Sequence, residues 1–226
     1  MELAIRDIAR QFLPRRPHYY YARIKLATDP LYSGVGRALA ATREPLLDLG
    51  CGIGLLAHAL RAQGFAGSYR GVDIDARKID SARAAADRAG LTAVHFDTLD
   101  LAAGFPEHRG SVALLDIVQF LPPPAQDALL EAAIASLTPG ALLVMRSGLH
   151  RAGWRLRFTR GVDRLARLTR WMNVGPQRYP TREALQDRFA RHGLSASFQP
   201  LSGPMPFENW LICARRHAPA EGPGPR

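Results

Sequence analysis

Between residues 48 and 116 of this 226-residue chain, three glycines and four aspartates fall at spacings that can do chemistry together. Leu47-Asp-Leu-Gly-Cys-Gly-Ile-Gly54 sets Gly50, Gly52 and Gly54 just past a short apolar run, with Asp48 inside it and Cys51 between the glycines. A glycine-rich turn between a buried strand and a helix lets a ligand approach the backbone beside the helix N-terminus. Asp73, 19 residues beyond Gly54, closes the next apolar run and is followed by Ile74. A carboxylate there can accept two hydrogen bonds from ribose hydroxyls. Asp97 ends the third run, where an adenine amino group would point, with Phe96 and Thr98 bordering it. Three successive strand ends on one crevice make an adenosine site. The glycine spacing departs from the G-x-G-x-x-G of dinucleotide sites, since Leu55 follows Gly54.

The elements that must position these residues follow from periodicity. Pro45–Leu49, Ser68–Asp73, Thr92–Phe96, Val112–Phe120 and Gly140–Arg146 are predicted strands. Helices are predicted over 54–64, 76–89, from the Pro122-Pro-Pro124 stop to Leu137, and from Thr181 to His192. Strands that alternate with helices of this length require right-handed crossovers and a parallel sheet covered on both faces. Leu194–Leu201 and Phe207–Ala214, separated by Ser202-Gly-Pro-Met-Pro206, read as an antiparallel pair. The predicted fold class is α/β, a Rossmann-like doubly wound sheet, mostly parallel with an antiparallel last strand. The chain divides into a helical cap at 1–44, a core at 45–150, a lid insertion at 151–180, a closing helix and strands at 181–216, and a disordered Pro/Gly tail at 217–226.

Composition bounds the function. No apolar run reaches membrane-span length, and no secretory signal is visible, so a cytoplasmic protein is expected. Cys51 and Cys213 make neither a disulfide framework nor, by themselves, a zinc site, and no metal is expected. The net charge of +10 is unevenly placed: residues 151–180 carry eight basic groups and one acid, while 41–150 carry nine and twelve.

The Asp48–Gly54 turn resembles motif I of class I S-adenosylmethionine-dependent methyltransferases. Asp73, Asp97 and Asp116-Ile-Val-Gln-Phe120 fall where later motifs of that family stand. The resemblance implies S-adenosylmethionine as cofactor and S-adenosylhomocysteine as product. It implies that the Gly50–Gly54 backbone, Asp48, Cys51, Asp73, Ile74, Asp97, Thr98 and Asp116 bind the cofactor. Asp116 to Gln119 would line the floor where substrate meets the methyl group, although Gln119 also suits a plain core position. Gln119-Phe-Leu-Pro-Pro stands where amide- and base-nitrogen methyltransferases carry N-P-P-Y, which favours oxygen and carbon acceptors. In related enzymes the segment before the first strand closes over the cofactor, so Tyr21, Arg23 or Lys25 would meet its carboxylate or the substrate's. His150, just past the fifth strand, and Gln119 are the candidate catalytic residues. The cap and basic lid are also similar to small bacterial methyltransferases of pigment and polyketide clusters, including the aryl polyene (xanthomonadin-like) type. That likeness implies an aromatic or acyl acceptor in secondary metabolism.

At helical spacing, Trp154, Phe158, Val162, Leu165, Leu168 and Met172 share one lid face and Arg157, Arg160, Arg164, Arg167 and Arg170 the other. The arginine face reads as a solvated surface, or as a dock for an acidic acyl-carrier protein or the anionic inner membrane. No recognised nucleic-acid module accompanies it. Three functions stay open: methylation of an apolar or aromatic small molecule, of a lipid or quinone at the membrane surface, or a non-catalytic scaffold.

Overall fold

The computed structural model describes residues 5–149, 178–201 and 209–217. His150, the lid arginines Arg157, Arg160, Arg164 and Arg167, and nearly all of the 217–226 tail lie outside the described residues. Five parallel strands run in the core: β1 (Leu46–Leu49), β2 (Tyr69–Asp73), β3 (Val94–Thr98), β4 (Ser111–Leu115) and β5 (Leu142–Gly148). β7 (Asn209–Arg216) pairs antiparallel with both β5 and β6 (Leu194–Leu201). The order across the sheet is β3-β2-β1-β4-β5-β7-β6. This is the Rossmann-like α/β fold expected from the sequence. The chain changes sides between β1 and β4, and open α/β sheets bind ligands outside the carboxyl ends of the strands at such a point.

β1 shows why the sheet needs cover on both faces. Leu46 packs into one apolar cluster, with α4 (Leu55–Ala62), α5 (Ala76–Arg88) and three N-terminal helices, α1 (Ile5–Arg10), α2 (Arg16–Thr28) and α3 (Leu31–Leu39). Leu47 and Leu49 pack into the other, with α6 (Pro123–Ser136) and the closing helix Arg182–Arg191. All three leucines are fully buried, each worth about 1.5–3 kcal/mol relative to exposure. Local signals set the helix starts. Asp75 caps α5 by accepting from Arg77 N, and Thr181 caps the closing helix by accepting from Ala184 N. No helix of the described residues is long and apolar enough to cross a membrane.

Among the strand boundaries that differ from the sequence expectation, two bear on the site, while β5 lies two residues later than expected. β3 starts at Val94 and runs to Thr98, because Ala93 adopts φ +52 and delays entry into the sheet. β4 stops at Leu115, and Val118–Phe120 form a 3-10 turn instead of its continuation. Asp116 takes φ +61, a left-handed conformation that ends a strand and is uncommon for a side chain with a Cβ.

Candidate active site

The glycine turn leaves β1 and enters α4 by three left-handed steps at Gly50, Gly52 and Gly54. Gly50 N and Cys51 N both donate to Val72 O, which stitches the turn to the end of β2. The two later glycines serve different ends. A Cβ on Gly54 would lie 2.6 Å from Phe96 Cζ and 3.0 Å from Ala82 Cβ, so glycine is needed there for packing. A Cβ on Gly52 would meet nothing within 4 Å. The backbone at Gly52 therefore borders open space, the cradle that close approach of a ligand needs.

Asp73 holds that cradle in shape. Its Oδ2 accepts from Gly52 N and its Oδ1 from Asp75 N, both at 2.9 Å. Ile74 beside it is 67% exposed, an apolar platform at the sheet edge suited to a flat adenine face. Below the turn Asp48 is buried and accepts from the Tyr69 hydroxyl. Burial, only partly offset by that hydrogen bond and reinforced by Asp73, pushes its carboxyl up to about 7. Burial, then the charges of Asp48 and Asp73, also push the Cys51 thiol well up, so it stays protonated at neutral pH.

Asp97 does not stand at the open end of β3, as the sequence suggested. It lies one residue inside the strand, in register with Val72, and Arg70 Nε donates to it at 2.8 Å. Thr98 is the residue in register with Asp73 at the edge, and alternation turns its side chain away from that of Asp97. Asp100 follows, exposed, just beyond the strand.

A second cluster gathers at the ends of β4 and β5 around Arg146, only 6% exposed. Arg146 Nε donates to both oxygens of Asp116 at 2.7 Å, and Nη2 also contacts Asp116 Oδ2. Its Nη1 donates to Asp29 Oδ2 at 2.5 Å. Asp29 accepts from Leu31 N just ahead of α3 and pairs with Lys25 at 3.2 Å, so the Lys25 ammonium already has a carboxylate partner. Arg23 points from the exposed side of α2, whereas Tyr21 is half-buried and senses Asp116 and Arg146. Gln119 is 5% exposed, and its Oε1 has no hydrogen-bond partner among the described residues. A buried carbonyl of that kind is a ready acceptor for a donor brought by a ligand.

Arg146 and Asp29 are the residues of this cluster that sequence reasoning missed. The signal for Arg146 was present, since a lone charge ending the run Ala141–Met145 has to find partners once buried.

Residues 46–140 match the family model described as a methyltransferase domain. A 59-residue stretch is 48% identical to the ribosomal protein L11 methyltransferase of Dechloromonas aromatica, covering 26% of this chain and 20% of that protein. An O-methyltransferase family protein from Burkholderia thailandensis superposes with a TM-score of 0.68 at 18% identity, over 96% of this chain and 64% of that one. An O-methyltransferase of neocarzinostatin biosynthesis, solved with S-adenosyl-L-homocysteine and 1,4-dihydroxy-2-naphthoic acid, superposes with a TM-score of 0.60 at 19% identity, over 86% and 55%. The chain thus spans less than two thirds of the length of these proteins. Residues 46–140 therefore match a methyltransferase domain, and the described residues share the fold of these methyltransferases. The open cradle at Gly52 and the Asp73 carboxylate fit S-adenosylmethionine, the cofactor that the sequence resemblance implies.

The two glycines should separate on substitution. Gly52→Ala is expected to lower Tm by only about 3–6 °C, from backbone strain, while S-adenosylhomocysteine affinity falls at least about tenfold as the methyl fills the cradle. Gly54→Ala adds a clash to the strain and should lower Tm by about 10 °C. Thermal melts with and without S-adenosylhomocysteine read both quantities; equal behaviour of the two variants would contradict this division.

Proposed function

We propose that the chain transfers a methyl group from S-adenosylmethionine to an oxygen or carbon of an apolar, aromatic or acyl small molecule. The observation that carries the reading is the Gly50–Gly54 turn, held by Asp73 and open above Gly52. The O-methyltransferase relatives, one of them from a secondary-metabolite pathway and solved with a hydroxylated naphthoic acid, support the acceptor class.

When bound, the cofactor supplies a methyl carbon already activated by its sulfonium. What remains for the chain is alignment and exclusion of water, and alignment alone can lower a barrier by several kcal/mol, about 7 or more in ideal cases. The Gly52 backbone and Asp73 hold the donor at the edge of β1 and β2. Asp116 and the Oε1 of Gln119 present hydrogen-bond acceptors beyond β4, where they orient a hydroxyl or other donor of the incoming molecule.

The test is transfer of radiolabelled methyl from S-adenosylmethionine into an extract of the source cells, fractionated into lipid, protein, nucleic acid and small molecules. Label in the small-molecule organic phase, or on a small acidic carrier protein, is the expected result. Label in membrane lipid would replace this reading with lipid or quinone methylation. Cofactor binding without label in any fraction would replace it with a scaffold role.

A further inference from the structure

We propose that the outer ridge of α2 docks the chain on an anionic lipid surface, with Tyr20 and Ile24 as apolar anchors and Arg16 and Arg23 as headgroup contacts. The inference goes beyond the methyl-transfer reading and does not depend on it. It also uses a surface separate in sequence from the arginines of 151–180.

Residues 16–28 carry two arginines, one lysine, one histidine and no acid. Ala22 and Leu26 turn inward and are buried. Tyr20 and Ile24 lie two positions from them, about 200° round the helix, and turn outward at 54% and 60% exposed. Tyr20, Arg23, Ile24 and Ala27 are all exposed at the spacing of one helix face, and Arg16 precedes Tyr20 by a turn. Leu13, in the turn before α2, adds a third exposed apolar side chain to the same stretch. Apolar side chains exposed singly are ordinary, whereas a cluster of them ringed by charge of one sign marks a docking surface.

The ridge is held in this attitude. His18 Nδ1 and Ser81 Oγ on α5 are 3.0 Å apart, and Asp29, just past the end of α2, accepts from Arg146 of β5. Fixed at both ends, the helix cannot roll to bury its apolar tips. The Tyr20 ring meets that of Tyr19 edge-on, with centroids 5.1 Å apart, which limits its rotamers. Lys25 is taken up by Asp29 at 3.2 Å, but Arg16 and Arg23 are exposed and pair with no acid of the described residues. Their charge is therefore free for an anionic partner.

The shape selects the partner. A convex helix ridge gives a protein no pocket in which to pack an anchor, and a nucleic-acid backbone has no use for an exposed isoleucine. A lipid surface needs no complementary shape. Apolar tips enter the boundary between headgroups and acyl chains, guanidiniums stay among the phosphates, and tyrosine suits the interface because its ring is apolar and its hydroxyl wet.

The experiment floats the full chain with phosphatidylcholine vesicles containing about one-third phosphatidylglycerol, and with pure phosphatidylcholine vesicles, at about 0.15 M salt. The parent is expected to partition at least about tenfold more strongly onto the anionic vesicles. Tyr20→Ser with Ile24→Ser should weaken that binding about tenfold. Arg16→Glu with Arg23→Glu, which reverses two charges, should weaken it at least about 30-fold. Both pairs sit on the surface, so Tm should stay within about 2 °C of the parent. Failure of the parent to float with anionic vesicles overturns the proposal. So does binding within about twofold of the parent in both variant pairs, which would place the attraction elsewhere on the chain. Loss in the arginine pair alone also overturns it, because attraction by charge without anchors is what an acidic protein or a nucleic acid would give.

Discussion

Arg146→Met should destabilise the fold by about 3–5 kcal/mol, because it removes the cation that Asp29 and Asp116 share and leaves only Lys25 beside Asp29. For a chain of this length that is a fall in Tm on the order of 10 °C. The loss should depend on pH, with a sign fixed by Asp29. Burial alone would raise the Asp29 carboxyl, but the charge and hydrogen bond of Arg146 override it and hold the group below the ordinary carboxylate value. A carboxyl depressed in the folded state contributes stability that is complete above its unfolded value and is lost as pH falls through the folded value. In the methionine variant most of that contribution is gone, since only Lys25 and the Leu31 N–H still oppose burial. The parent then loses more stability than the variant as acid neutralises the group, so the deficit shrinks from pH 7 to about pH 3. Denaturant unfolding at the two pH values measures this. A deficit that is the same at both, or under about 1 kcal/mol, would show that the cluster does not carry the cap.

The second large effect is on the cofactor. Asp73→Ala is expected to weaken S-adenosylhomocysteine at least about 100-fold by calorimetry, since hydrogen bonds to a charged group are worth about 1.5–3 kcal/mol each. Under the proposed function two such bonds to ribose hydroxyls would be lost, and the turn loses the carboxylate that orients Gly52 N. The Asp75 N contact goes as well, so α5 should fray at its start and Tm should fall by a few degrees. Asp73→Asn keeps one acceptor oxygen and should lie between the two. Affinity within threefold of the parent for Asp73→Ala would remove Asp73 from the binding site.

Much of the glycine-turn half of the candidate site is legible in the sequence. Its parts are local: an apolar run, a glycine turn and a helix start lie within 20 residues, and each has a conformational signature of its own. Asp73 was legible for the same reason, because a strand end followed by a capped helix places it at the edge. Asp97 was read one residue short. Its strand begins only after the left-handed Ala93, and nothing about alanine announces φ +52. The Asp97 side chain meets Arg70 of β2, a contact that follows from how the two strands pair.

The acceptor half was not legible in that way. Val112–Phe120 reads as continuous strand because only Asp116 and Gln119 interrupt its apolar residues, yet the chain leaves the sheet at Asp116. Arg146 and Asp29 are 117 positions apart, and Arg146 and Asp116 are 30 apart. Pairing over such distances has no spacing rule, because it depends on where the cap comes to rest on the sheet. By itself the sequence determined the alternation of strands and helices, the parallel core and the cofactor turn, all of which follow from periodicity and short-range conformational preference. Only the tertiary structure decided which charges meet at the ends of β4 and β5. Burial forces each charge to find a partner, and packing chooses that partner from anywhere in the chain.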